Sequence, residues 1–482
     1  MHVRQFSIEG LGHLSALISD EVAGAAAVID PRRDVDVYLN AARDAGLRIT
    51  DVVETHLHND YVSGGRELAA LTGARHTIGA GAELAYEHRG VRHGDEFHVG
   101  DLRFVALETP GHTPEHMSYA VADTARADEP SLLLTGGSLL VGAVGRTDLL
   151  GAETAIPYAK AMFRSLHEVI LPHEDFVTVL PTHGAGSLCS TGISSTPSTT
   201  VGFERRYNRM LRPKDVDLFA RLLLARQPAF PKYFARMRPL NQAGPRLMGA
   251  RVPDPRPLSL AEVDLALERG ATIIDLRDPA AHALGHIRGS ISIPGGASFG
   301  TWLGWVVEHD QPIVVVLDRL DVWDDVIRQS LRIGHEVVLG HLAGGFAAWV
   351  ESGRRIESSG RLTIDDLAGL LGMGDGAPLV IDVRQATEYA AGHVPGSIHL
   401  LAGELPDRLD ELPRDRPIAT ICASGFRSSI AASLLRRAGF EDVSWVADGV
   451  PTWRASGREL EYRRERDVEV ADGASVAGRH SH

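Results

Sequence analysis

Pro417-Ile-Ala-Thr-Ile-Cys-Ala-Ser-Gly-Phe-Arg-Ser428 is the stretch from which the rest of this 482-residue chain can be read. Pro417 to Ile421 is a short apolar run of the kind that makes a buried strand. It delivers Cys422 to a small loop, Ala423, Ser424, Gly425, Phe426 and Arg427. Ser428 stands where a helix N-cap is expected, ahead of an apolar face at helical spacing: Ile430, Ala431, Leu434, Leu435 and Ala438. Arg436 and Arg437 fall in the last turn and Gly439 follows as the stop. A thiol at such a strand-loop-helix turn faces backbone N–H groups and the positive end of a helix, which favour the nucleophilic thiolate. Arg427 adds a positive charge on the same loop. The alternative is a buried structural cysteine, and the loop composition favours the reactive one.

Cys422-x-x-Gly425-x-Arg427-Ser428 resembles the active loop of the rhodanese (sulfurtransferase) family, whose cysteine carries a sulfane sulfur as a persulfide. The loop has six residues from Cys422 to Arg427, one fewer than in phosphatases of similar fold, and the shorter ring suits a single sulfur atom better than a phosphate. The resemblance implies Cys422 as nucleophile, with Arg427 and the loop residues 423–426 and Ser428 stabilising the anion. Its implied partners are thiosulfate or a low-molecular-weight thiol persulfide.

An internal repeat places a second copy upstream. Ile274-Asp275-Leu-Arg277 through Gly285-His286 matches Ile381-Asp382-Val-Arg384 through Gly392-His393, at a constant offset of 107 residues. Gly345-Phe-Ala-Ala-Trp349 likewise matches Gly449-Val-Pro-Thr-Trp453. Two tandem rhodanese-like domains are expected at about 258–356 and 360–462, with a flexible tail at 463–482. Asp382 and Arg384 are expected to pair structurally. In the first copy Pro312-Ile-Val-Val-Val-Leu317-Asp318 stands where the second has Pro417-Ile-Ala-Thr-Ile-Cys422, and neither Leu317 nor Asp318 can carry a persulfide. Its acids Asp318, Asp321, Asp324 and Asp325 repel anionic sulfur.

Residues 1–250 read as an α/β domain. The strand Thr50–Thr55 ends in His56-Leu-His58-Asn-Asp60-Tyr61, a metal-ligand spacing just past a strand. Thr109-Pro-Gly-His112-Thr-Pro-Glu115-His116 and Leu180-Pro-Thr-His183-Gly-Ala-Gly-Ser187 each put a histidine in a Gly/Pro loop after an apolar strand. One such histidine means little; several strand ends converging is a strong signal.

The ensemble resembles the metallo-β-lactamase family, and within it the persulfide dioxygenases fused to rhodanese domains. Ser131 to Asp148 and His183-Gly-Ala-Gly-Ser-Leu-Cys189 carry that likeness. It implies a multidomain α/β chain: an N-terminal αββα sandwich followed by two rhodanese-like domains. In the family pattern the first motif closes with His, where this chain has Tyr61, and Asp follows Thr-Gly as an iron ligand, where it has Gly137. What the resemblance leaves is a three-histidine site of His56, His58 and His112 for Fe(II) or Zn. The hydrolases' second metal position keeps only Asp60 and His183, so a metal-dependent hydrolase ranks third. Ahead of it stands a metal-free scaffold or sulfur-responsive binding protein. Cys189 is expected to be an inert core thiol, with an acceptor role for sulfur as the alternative.

At about 150 residues per domain the length allows about three domains. A net charge of −14 argues against nucleic-acid and anionic-membrane surfaces. No apolar run approaches the ~20 residues of a membrane span, and the N-terminus lacks a signal peptide's apolar core. Two cysteines leave no disulfide framework, so a reducing cytoplasm is expected. A homo-oligomer is the expected assembly.

Overall fold

A computed structural model describes residues 1–225 and 227–462; the tail expected at 463–482 lies outside the described residues. The chain divides into two compact units. The first comprises Met1–Asp254, Ala297–Trp305 and Asp324–Glu336, and the second comprises Pro255–Gly296, Val306–Trp323 and Val337 onward.

The first unit is built on two six-stranded sheets. One runs His2–Ile8, His13–Asp20, Ala25–Ile29, Arg48–Val53, Arg75–Gly79, Arg89–Val91, antiparallel at first and parallel from Ala25 on. The other runs Thr199–Thr200, Thr178–Pro181, Leu132–Gly136, Met117–Asp123, Leu102–Glu108, Glu96–Val99. Alternation along the strands explains the layering. In Ala25–Ile29, residues Ala25, Ala27 and Ile29 join a central core with Phe97, Phe104, Tyr119 and Val121 of the other sheet. Ala26 and Val28, pointing the other way, pack with Tyr38, Ala41 and Leu68 of the helices Asp36–Asp44 and Gly65–Thr72. On the far side Leu133 and Val179 meet Met162, Phe219 and Leu223 of Ala152–Arg164 and Val216–Leu224. The result is the expected αββα sandwich.

The second unit contains two five-stranded parallel sheets of identical order. Pro257–Leu258, Val338–Leu342, Ile313–Val316, Thr272–Asp275, Ile291–Ser292 is repeated as Gly360–Leu362, Val443–Val446, Ile418–Ile421, Leu379–Asp382, Ile398–His399. The sequence repeat is therefore a repeat of topology. In both copies the strand that ends in an acid, Asp275 or Asp382, is followed two residues on by an arginine that closes on it. Arg384 takes Asp382 Oδ2 at 2.6 Å and Gly392 O at 2.8 Å, and Arg277 takes Asp275 and Gly285 at the same distances. Each buried pair ties its strand end to the Gly-His turn, the structural role expected of it.

Two segments of the first repeat, Ala297–Trp305 and Asp324–Glu336, belong with the front unit. Charge explains part of this. Arg332 Nε and Nη2 bind Asp34 at 2.8 and 2.7 Å, and Arg328 adds Asp36 at 2.7 Å. The acid expected to repel sulfur anions at 324 instead accepts from Arg328 at 2.6 Å.

Candidate functional site

The strand Ile418–Ile421 is buried throughout and hands over to Cys422, which is fully buried. Gly425 N–H donates to Cys422 Sγ at 3.2 Å. Gly425 stands at φ 88°, where a side chain is strained, and a Cβ there would also meet Ala447 O at 2.5 Å. The loop closes tightly because no side chain intervenes. The helix that follows is Phe426–Arg437 with Gly425 as its N-cap. Ser428 is thus not the cap but a residue of the first turn. Its Oγ lies 3.6 Å from Cys422 Sγ and within 3.0 Å of both Gly425 O and Val446 O. The left-handed glycine, rather than a hydroxyl, makes the entry.

Arg427 is the largest departure from the sequence reading of this loop. Its Nη1 and Nη2 bind Glu388 Oε2 and Oε1 at 2.6 and 2.9 Å, a two-pronged ion pair. Burial pushes the Glu388 carboxyl up, but Arg427 holds it below its ordinary value. The positive charge on the loop is therefore neutralised. In the first copy the corresponding place holds buried Leu317, followed by exposed Asp318 and an Arg319–Asp321 pair.

The second constellation lies where the strands of the sandwich end. Ligand atoms of His56, His112 and His183 fall within 4.8 Å of one another, all buried. The tautomers follow from the hydrogen bonds. Thr55 Oγ1 donates to Asp30 at 2.9 Å and so accepts from His56 Nδ1 at 2.8 Å. His112 Nδ1 donates to Arg146 O at 2.8 Å. Both Nε2 atoms are left with lone pairs, and both are buried without a hydrogen-bond partner, as is His183 Nε2. Burial pushes His56 far below its ordinary value and His112 down to about 3, so both are neutral, the ligating form. Asp60 Oδ2 stands 3.3 Å from His183 Nδ1, placed to orient that ring from behind. Burial pushes His183 down, but Cys189 and Asp60 hold it well above its ordinary value, so a metal ion arriving there displaces a proton. Three imidazoles converging on an unsatisfied, buried point fit a transition-metal ion.

His58, expected in the trio, is turned elsewhere: its Nε2 is 3.3 Å from Asp30 Oδ1 and its ring stacks on Tyr61 at 4.4 Å. His183 stands in its stead. His116 is excluded because it accepts from Gly137 N–H and bonds Thr109 Oγ1, each at 2.9 Å. Tyr61 fills space between His13 and His58, and its hydroxyl reaches Asp30 O at 3.4 Å. Burial raises its phenol far above the ordinary value, so it is no phenolate ligand. Asp30, missed as a site residue, is the hub: it accepts from Thr55 and Thr182 and faces His58 Nε2 at 3.3 Å, at a backbone φ of 48°. Its signal in the sequence was Asp-Pro at a strand end.

Cys189 is not surrounded by hydrocarbon alone. With Asp60 and His183 it forms a second group whose ligand atoms lie within 4.8 Å. Burial pushes its thiol up, Asp60 adding to the shift and His183 opposing it.

Residues 9–177 match the metallo-β-lactamase superfamily. The structure of a metallo-β-lactamase from Staphylococcus aureus subsp. aureus COL is 32% identical, with a TM-score of 0.64, and is covered over 98% of its length by 70% of this chain. The chain belongs to the metallo-β-lactamase superfamily. To this metallo-β-lactamase domain it adds tandem rhodanese-like domains, matched at 259–352 and 363–456. A hydroxyacylglutathione hydrolase of Rhodospirillum rubrum is 32% identical over 216 residues, 42% of this chain and 83% of that protein. Three other hydroxyacylglutathione hydrolases, 38–39% identical, are matched over only 42% of their own length, and one from a Polaromonas species, 28% identical, over 92%. A Bacillus subtilis protein named a putative sulfur carrier protein is 39% identical over 74 residues, 15% of this chain and 40% of that one.

Proposed function

We propose that this metallo-β-lactamase-family protein is a sulfurtransferase of persulfide metabolism that carries sulfane sulfur on Cys422, beside a metal-binding front domain. The observation that carries the reading is the Gly425 N–H aimed at Cys422 Sγ at 3.2 Å in a six-residue strand-to-helix loop. The loop's backbone dipoles and the following helix stabilise a thiolate and, after transfer, a persulfide anion. The thiolate attacks the outer sulfur of a donor RS–SH. A Cys422 S–S bond forms, the donor S–S bond breaks, and RS⁻ leaves, so the sulfane sulfur changes hands with no outside oxidant. Burial of Cys422 shields the product from bulk water.

In the front domain, His56, His112 and His183 would hold Fe(II) or Zn, an ion that supplies Lewis-acid polarisation of bound sulfur or oxygen. Thr55, Arg146 O and Asp60 orient the three rings. A metal-dependent hydrolase is the second reading, favoured by the similarity to hydroxyacylglutathione hydrolases and by the Asp60–His183–Cys189 group. Tyr61 and Gly137 weigh against it, since each removes a donor from the second metal position.

Incubation with glutathione persulfide followed by cyanolysis tests the transfer half. Wild type is expected to yield about one equivalent of labile sulfur per chain, and Cys422→Ser less than about a tenth of that. Equal yields from the two proteins would rule the reading out.

A further inference from the structure

We infer that Glu388 sets the donor class of Cys422, excluding thiosulfate and similar dianions and admitting thiol persulfides whose transferable sulfur is uncharged. The inference rests on the sulfur-transfer reading above and deepens it.

Between Cys422 and Ser428 the only cationic side chain is Arg427. One N–H of each of its terminal nitrogens binds Glu388, at 2.6 and 2.9 Å, so its charge is paired with a carboxylate. Glu388 does not meet Arg427 by chance of a flexible surface. It lies in the first turn of the helix Ala386–Ala390, where its carboxylate also accepts from Gln385 N–H at 3.2 Å in a capping box. The next guanidinium along the chain from Glu388, Arg384, is bound to Asp382 at 2.6 Å and to Gly392 O. The two arginines and two acids therefore cancel before a donor arrives, and the reacting thiolate leaves the site at one net negative charge.

A thiosulfate dianion brings that site to three negative charges, in partly buried surroundings where desolvation is costly. A persulfide protonated on its outer sulfur adds no charge at the point of attack, and the carboxylates of a glutathione carrier lie several bonds away. Unit charges about 6 Å apart, at an effective dielectric constant near 20, repel strongly enough to slow encounter and attack by roughly 100-fold. With thiosulfate, the Cys422 S–S bond would form as the donor S–S bond breaks and sulfite leaves, so the two donors differ in charge and not in electron balance. Glu388 acts through Arg427: it is a positioning residue, not one that touches the reacting sulfur.

The experiment compares second-order loading of Cys422 by glutathione persulfide and by sodium thiosulfate, read by mass spectrometry of the Cys422 peptide. Wild type is expected to favour the persulfide by about 100-fold. Glu388→Gln frees the Arg427 charge and is expected to shift the thiosulfate-to-persulfide ratio by about tenfold or more towards thiosulfate, chiefly through a lower thiosulfate KM. Glu388→Asp, which keeps the charge, is expected to retain the wild-type ratio. Equal loading of wild type from both donors would overturn the inference and leave sulfur transfer intact; so would a ratio unmoved in Glu388→Gln. The wild-type ratio needs no variant to fold. Failure of both donors to load wild type would overturn the sulfur-transfer reading itself, and this inference with it.

Discussion

Replacing Gly137 with aspartate rebuilds, in sequence, the carboxylate that the persulfide dioxygenase pattern places after Thr-Gly, and it should nonetheless weaken metal binding. A Cβ at Gly137 would stand 2.2 Å from His112 Cδ2 and 2.8 Å from both Cγ and Nε2. Ordinary contact begins at 3.4 Å, so the ring must retreat by 1.2 Å. His112 is 1% exposed and its Nδ1 is anchored to Arg146 O at 2.8 Å, so the retreat breaks that bond in a site with no slack. Overpacking of about 1–3 kcal/mol and a lost hydrogen bond of about 1 kcal/mol set the stability cost. A ligand displaced by over an ångström is no longer a ligand, since metal bonds tolerate about 0.2 Å. Anaerobic Fe(II) and Zn titration against a chelator should show affinity falling by at least about tenfold in Gly137→Asp, and by a similar factor in Gly137→Ala, which carries the same Cβ. Tighter iron binding by Gly137→Asp than by wild type would refute the reasoning, because it would mean that the place of the lost carboxylate is still open.

Two further substitutions probe the front unit. His183→Ala should abolish stoichiometric metal in elemental analysis while His58→Ala retains it; the reverse result would restore the trio expected from His-x-His spacing. Asp34→Asn leaves Arg332, itself buried, without its charge partner and should cost about 3–5 kcal/mol in denaturant unfolding, and a loss below about 1 kcal/mol would contradict the assigned role. Burial pushes the Asp34 carboxyl up, but Arg332 and Arg32 hold it below its ordinary value. Its stabilisation is therefore complete above the unfolded carboxylate pKa of about 3.9 and lost as pH falls through the depressed folded value, a loss Asp34→Asn should remove.

Local signals carried most of the architecture. Alternating apolar runs, loops of Gly, Pro and His at strand ends, and a repeat at constant offset all act within a few residues, so they are visible without coordinates. What stayed hidden is set by distant partners. His56 and His58 are equally plausible ligands in a linear motif, and only Asp30, 28 residues before His58, decides that His58 turns away. Arg427 looks like a free cation until Glu388, on another helix, is seen to claim it. The helix start at Gly425 rather than Ser428 is a matter of backbone sign, since a left-handed glycine and a capping serine both end a loop. Cys189 beside His183 and Asp60 reflects the path of a Gly-rich turn, for which spacing has no periodic signature.

The most direct measurement is mass analysis of the Cys422 peptide after anaerobic treatment with glutathione persulfide. The account predicts one added sulfur on that peptide, removed by cyanide and absent from Cys422→Ser. An unmodified Cys422, or labile sulfur found on Cys189 alone, would contradict it.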